Sequence, residues 1–354
     1  MTVYQEFHGK KILVVGGAGF VGSNLSHMLL ESELEGLTIV DNLLSADRSN
    51  IPGDARVSFI EGSIADDVTL DQLPGDIDYV WHLSCYHGNQ SSIFDPIADH
   101  DNNTLTTLKL FDRLSKRSNL TKVVYSAAGC AVAEKTYGDP VATLEDAQVS
   151  LFHDSPYSIS KLVGEMYGNY YFGRYGMPFV KARFQNVYGP REILGAGKWR
   201  GTYATVWRNV TPTFVWKSLH GEALGLDNGG LVSRDFIFVE DICRGLIACA
   251  LKGVPGEAYN IASGVETTIK ELAETINELT GNSTPMNIQP PRDWDNSGRR
   301  FGSPEKSRRE LGFEAEVGLR EGLERTVNWA RDNQALIASR IAQHDTQMKR
   351  VGAA

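Results

Sequence analysis

The chain has 354 residues, 42% hydrophobic and 22% charged, a length that predicts about two domains or one large domain with an appended lobe. A net charge of −9 with no basic block argues against a nucleic-acid partner, and no run approaches the roughly 18 apolar residues of a membrane span. Cys85, Cys130, Cys243 and Cys249 lack C-x-x-C spacing and read as reduced thiols, and the start around Glu6, His8 and Lys10 is too polar for a signal peptide. A soluble cytoplasmic protein without a metal site is expected.

The first element is the apolar run Ile12 to Val15, continuous as in a strand buried on both faces of a parallel sheet. It stops at a glycine cluster that fits both G-x-x-G-x-x-G and G-x-G-x-x-G, followed by a helix expected from Ser23 to Leu30. This strand-turn-helix would bring the backbone of Gly16, Gly19, Phe20, Val21 and Gly22 against the pyrophosphate of a dinucleotide. A second strand, Leu37 to Val40, ends in Asp41-Asn42. A carboxylate at that tip accepts both ribose hydroxyls of an adenosine and repels a 2′-phosphate, so NAD is expected rather than NADP. The third strand, Arg56 to Ile60, leads to Ser63 and Ile64, which either contact the adenine or only close a turn and cap a helix.

The fourth strand, Tyr79 to Leu83, ends in the small and polar loop Ser84 to Ser92. At the carboxyl end of a strand in an open α/β sheet, such a loop faces the crevice, with Leu83 and Ser84 toward the cofactor and His87 and Ser92 toward substrate. A helix from about Ile97 to Leu114 carries Asn102 and Asn103. Asparagine is a poor helix former, so a buried one there is expected to bond a neighbouring strand or loop. The fifth strand, Lys122 to Ser126, ends in Ala127-Ala128-Gly129-Cys130, and the irregular stretch up to Asp154 reads as a lid or substrate wall. Next, Ser155-Pro156-Tyr157 opens a helix on which Tyr157 and Lys161 share a face. The ammonium favours the phenolate, drawing a group of ordinary pKa about 10 toward neutrality and making a proton carrier. Y-x-x-x-K alone is a common solvated helix face; after a dinucleotide turn and a fifth strand it reads as a catalytic pair.

With these pieces the chain resembles the extended short-chain dehydrogenase/reductases, in their NAD-dependent nucleotide-sugar epimerase and dehydratase branch, over about residues 10 to 330. The further matching motifs are Asp41-Asn42, His82-Leu83-Ser84, the asparagine pair, Arg183-Phe-Gln-Asn-Val-Tyr-Gly-Pro190, Arg234-Asp-Phe-Ile-Phe-Val-Glu-Asp241, Tyr259-Asn260-Ile261 and Glu305 to Phe313. The resemblance implies an α/β fold: a Rossmann-type doubly wound parallel sheet with a smaller, discontinuous C-terminal lobe that clamps a nucleoside-diphosphate sugar. Residues 1–185, with 230–265 partly returning, would form mainly the NAD-binding domain. Residues 186–229 and 266–335 would form the lobe, and 336–354 a polar tail. Tyr157 would take a proton from a sugar hydroxyl as hydride passes to NAD, with Lys161 on the nicotinamide ribose and Asn103 among the cofactor-binding residues. Asn186 would touch the sugar or diphosphate and Arg234 the diphosphate, while Arg299 or Arg300 supplies a second phosphate contact or is simply a surface charge. Relatives pair through the helices near 97–114 and 157–173, so a homodimer is expected.

Three departures shape the expected chemistry. The catalytic Ser or Thr of most relatives aligns with Ala128; Ser126 could replace it only with a backbone shift. The Asp-Glu pair of nucleotide-sugar 4,6-dehydratases aligns with Gly129 and Cys130, so the usual elimination lacks its proton carriers. Cys130 stands where GDP-mannose 3,5-epimerases and GDP-fucose synthases carry an acid/base cysteine, and reads either so or as a small buried apolar residue. The cation-rich segment 191–216 suggests a loop closing on a phosphorylated or carboxylated sugar, with Lys198 as a second acid/base or as part of a lid without catalytic duty. The leading expectation is epimerisation at C4 through a transient 4-ketone, with tightly bound NAD recycled in place. The alternatives are 4-oxidation coupled to C3/C5 epimerisation, dehydration or ketone release through Cys130, and a non-catalytic nucleotide-sugar or NAD sensor.

Overall fold

The computed structural model describes residues 4–129, 140–292 and 298–352. Its main sheet is built from the apolar runs: β1 (Lys11–Val15), β2 (Gly36–Asp41), β3 (Val57–Glu61), β4 (Tyr79–His82), β5 (Lys122–Ala128), β6 (Phe179–Phe184) and, far later, β10 (Ala258–Ile261). The order is β10-β6-β5-β4-β1-β2-β3 with every pair parallel. Alternate residues serve the two faces: Ile12, Val14, Trp81 and Val124 pack into one core, and Leu13, Val15, Val80 and Val123 into the other. Because both faces are covered, β1 reads after Lys11 as an unbroken apolar run rather than as alternation. The strand order reverses between β1 and β4, and a crevice at the carboxyl ends is the expected result.

Helix α1 (Phe20–Leu30) follows β1, and the short α2 (Asp67–Asp71) follows β3. Short helices α3 (Asn89–Phe94) and α4 (Pro96–Asp99) follow β4. The segment expected as one helix from Ile97 to Leu114 is instead α4, a wide π-helical turn at His100–Leu105, and α5 (Thr106–Leu114). The wide turn includes the two asparagines, both poor helix formers. Helix α6 (Pro156–Tyr175) carries the Tyr157/Lys161 pair and leads to β6.

Beside the main sheet lies a small one in the order β11-β9-β7, from β7 (Asn186–Tyr188), β9 (Ser233–Phe238) and β11 (Glu266–Thr268). Strands β8 (Gly225–Asp227) and β12 (Asn287–Gln289) pair separately. Among the helices of this half, α7 (Val210–Leu219), α9 (Ile269–Thr280) and α10 (Leu319–Asp332) pack on one another. Helix α8 (Val239–Lys252) returns to cover β5, β6 and α1.

The C-terminal stretch, expected only as a polar tail, is helical through α11 (Gln334–Ala342) and α12 (Asp345–Gly352). It is tied down by partners no local pattern reveals. Arg340 pairs with Asp47, and Gln343 Nε2 donates to the carbonyls of Gly195 (2.7 Å) and Gly197 (3.1 Å). The segment around Gly195 in turn grips the loop after β2. Lys198 N donates to Leu44 O at 3.0 Å, and Arg208 donates to Ser45 O at 2.9 Å and Ala196 O at 2.7 Å.

Candidate active site

A cavity of about 760 Å³ opens at the carboxyl ends of the central strands, where Val15, Asp41, Ser84 and Ala128 form part of its wall. Gly16 sits at φ +85°, and a Cβ there would lie 2.5 Å from Ser84 N. At Gly22 a Cβ would lie 2.1 Å from Gly16 O, so only glycine lets the first turn of α1 close on the strand end. Gly16, Gly19, Phe20, Val21 and Gly22 all face the cavity. Asp41 braces this turn as well as facing the cavity: Oδ2 accepts from Ala18 N at 3.1 Å and Oδ1 from Leu43 N at 2.9 Å. Its burial raises the carboxyl pKa, against the pull of the Leu43, Ala18 and Gly19 N–H groups. A glycine cradle open to a helix N-terminus, with an acid at the neighbouring strand tip, fits a dinucleotide.

Asn42, Ser63, Ile64 and Leu83 also line the cavity. Ser63 also closes its own turn, its Oγ accepting from Ala65 N at 3.2 Å. Asn103, expected among the cofactor-binding residues, does not line the cavity. It is buried, accepting from Tyr86 N at 2.6 Å and donating to Asp99 Oδ1 at 2.8 Å and Ser160 Oγ at 3.1 Å. Its neighbour Asn102 faces the cavity and accepts from Asn42 Nδ2 at 3.3 Å.

At the other end of the cavity stand Tyr157 and Lys161. Ser155 caps their helix, its Oγ accepting from Ser158 N at 3.4 Å, and Pro156 takes the first turn. Lys161 is buried, 4.6 Å over the Tyr125 ring, with Nζ donating to Ser126 Oγ at 3.3 Å. Burial lowers its pKa, opposed by Cys85, Asp99 and Glu165. Ser126 donates its own proton to His82 O at 3.1 Å, so its hydroxyl is engaged on both sides and serves to hold Lys161. Ala128 presents a methyl to the cavity where the hydroxyl of relatives was expected. Cys130 lies outside the described residues.

Ser92, expected at the substrate, is fully buried and off the cavity wall. Its Oγ accepts from Tyr157 N at 3.2 Å and donates to Asn89 O at 2.8 Å, so it supports the tyrosine from behind. Lys198 is exposed outside the cavity, because its backbone is tied to Leu44. Arg299 also stands off the wall, its guanidinium on Glu266 with Nε–Oε1 at 2.7 Å and Nη2–Oε2 at 2.9 Å. Asn186, Arg234 and Arg300 do line the cavity, and Arg234 is braced by the carbonyls of Ser233 (2.7 Å) and Gly298 (2.9 Å).

His87, expected toward substrate, lines the cavity, and two residues that were not foreseen, Asn209 and Glu192, stand in a row with it. His87 meets the Tyr157 ring edge-on, centroids 5.9 Å apart, and its Nε2 is 2.9 Å from Asn209 Oδ1. The Asn209 amide N–H₂ donates to Glu192 Oε1. Burial lowers the His87 pKa to about 4, with the Asn209 bond opposing and Arg208, Arg200 and Lys161 assisting. Burial raises that of Glu192 to about 7 against Asn209 and Arg208. The sequence did hold one signal, since Glu192 is the sole acid in the cation-rich segment 191–216.

The sequence model of the NAD dependent epimerase/dehydratase family matches residues 12–262. A crystal structure of the Bordetella bronchiseptica enzyme WbmF in complex with NAD+ and UDP is 56% identical, with a TM-score of 0.88, over 98% of this chain and 99% of that one. A dTDP-glucose 4,6-dehydratase of Streptomyces antibioticus is 30% identical over 92% of this chain and 93% of its own length. A UDP-glucose 4-epimerase of Mycolicibacterium smegmatis is 29% identical over 91% and 99%. The chain is therefore an enzyme that uses NAD, and it belongs to the NAD-dependent epimerase/dehydratase family of nucleotide-sugar enzymes.

Proposed function

We propose that the enzyme inverts C4 of a UDP-sugar through a transient 4-keto intermediate. NAD, when bound, supplies the site that takes the C4 hydride and returns it. The Tyr157 phenolate accepts the proton of the C4 hydroxyl and, as the phenol, returns it to the C4 oxygen after the keto sugar has turned its other face. Lys161, buried and held by Ser126, keeps the charge that favours the phenolate and reaches the nicotinamide ribose. Arg234 and Arg300 meet the diphosphate, and Asn186 the sugar or diphosphate.

The observation that carries this reading over dehydration is the wall after β5. It offers the methyl of Ala128 and then Gly129, where a Cβ would lie 2.3 Å from Gln185 Nε2 and 2.8 Å from Phe184 O. A carboxylate has no room at that position. The UDP of the WbmF complex and the UDP-glucose epimerase relative support a uridine nucleotide. Because the redox cycle closes on itself, the cofactor stays bound between turnovers. Incubation of the holoenzyme with a panel of UDP-, dTDP-, GDP- and CDP-sugars tests this. The expected product has unchanged mass and inverted C4 by NMR, without stoichiometric NADH; loss of water or of two hydrogens would refute it and favour dehydration or ketone release. Inverted C3 or C5 would instead assign a proton-transfer role to Cys130, and no turnover of any sugar would favour a sensor.

A homodimer fits the same reading. Helix α6 exposes Met166 and Tyr170 by 55% and 54%, and Ile97 beside it by 69%, an apolar face suited to pairing with its copy.

A further inference from the structure

The row Glu192–Asn209–His87 has a direction. Asn209 gives its N–H₂ to Glu192, so its carbonyl is the atom left for His87, and a carbonyl can only accept. His87 must then carry its hydrogen on Nε2, and its Nδ1 is a bare lone pair. The ring meets the Tyr157 edge on a further side, and Arg200 Nη1 donates to the backbone carbonyl of His87 at 2.7 Å. Arg200, Arg208 and Lys161 all stand near enough to disfavour an imidazolium. All three members of the row line the same cavity as Tyr157.

We propose that Asn209 and Glu192 are positioning residues that lock His87 in the Nε2–H tautomer, so that the wall beside Tyr157 presents a fixed hydrogen-bond acceptor to the sugar. The acceptor selects a sugar with a donor, a hydroxyl or an amide N–H, next to the reacting carbon. Glu192 acts at one remove: its Oε1 accepts from the Asn209 amide N–H₂, which orients that amide. If the amide turns over, Asn209 offers N–H to His87 and the imidazole must move its hydrogen to Nδ1, turning the acceptor into a donor facing the sugar donor.

This inference rests on the nucleotide-sugar reading, and the two fail separately. If wild-type holoenzyme turns over no nucleotide sugar, that reading falls; if it does, the variants judge the inference. Asn209→Leu should raise KM about tenfold with kcat changed by no more than about threefold, the loss of one hydrogen bond in the ground-state complex. ¹⁵N NMR of the holoenzyme with labelled histidine should show the His87 hydrogen on Nε2 in the wild type and shared between Nε2 and Nδ1 in the variant, whose leucine neither accepts nor donates. His87→Asn, whose amide oxygen lies near where Nδ1 was, should make the KM indifferent to Asn209→Leu, so the double variant matches His87→Asn alone. Should Asn209→Leu not fold, the isosteric Glu192→Gln carries the same test, because a glutamine can accept or donate and should give a mixture of tautomers with a smaller rise in KM. An unchanged KM, a His87 tautomer unaffected by Asn209 and Glu192, or equal effects of Asn209→Leu in the wild-type and His87→Asn backgrounds would each overturn the inference.

Discussion

Glu192→Gln is expected to stabilise the enzyme above neutral pH and to do nothing for it in acid. The Glu192 carboxyl is 8% exposed, and burial moves it from an ordinary value of 4.5 to about 7. In the unfolded chain it loses its proton near 4.5. Between the two values the native protein holds a proton that the unfolded chain has released, so stability falls as pH rises through that window and is level beyond it. A displacement of this size corresponds to roughly 3 kcal/mol. Glutamine keeps the shape and an oxygen for the Asn209 amide but has nothing to ionise. The unfolding free energy of the variant relative to wild type should therefore grow by about 3 kcal/mol between about pH 4.5 and pH 8. His82, whose pKa is lowered to about 3 by burial, acts in the opposite sense as the pH drops, but it is common to both proteins and cancels in the difference. Urea unfolding at intervals across this range measures it. A wild-type-to-variant difference that is the same at every pH would refute the reasoning.

Three other outcomes follow from the geometry. Tyr157→Phe should lower kcat by about 10²- to 10⁴-fold while leaving the bound cofactor in place, measured by turnover and by absorbance of the released nucleotide. Gly22→Ala, whose Cβ would lie 2.1 Å from Gly16 O, should cost about 1–3 kcal/mol of stability and purify with little NAD. Arg340→Ala, which removes the partner of Asp47, should weaken the loop over the cofactor by roughly 1 kcal/mol, seen as about fivefold faster exchange of bound NAD for a fluorescent analogue.

The parts of this site that sequence reveals are those in which one short stretch contains both the geometry and its cause. Gly16 to Gly22 needs no distant residue to be read, and neither does the acid at the tip of β2 or the spacing of Tyr157 and Lys161. The position of Ala128 was likewise legible, because the strand before it sets the register. What escaped was set by residues far apart along the chain. Asn102 and Asn103 are adjacent, and only the wide turn decides that the first faces the cavity and the second is consumed by Tyr86 and Ser160. Lys198 sits in a segment rich in cations, yet its bond to Leu44 leaves its side chain in solvent. His87 meets Asn209 across 122 residues, and nothing local in either stretch announces the pairing.

The bond between Arg340 and Asp47 joins positions 293 residues apart, and it secures a loop whose strand, β2, is among the earliest made. During synthesis the glycine turn, Asp41 and the sheet around them emerge long before the helix that straps them down. The dinucleotide pocket of a growing chain is thus open-sided, and a cofactor that enters it early is free to leave. Firm retention of the cofactor is therefore expected only of chains in which Arg340 has emerged and bonded Asp47.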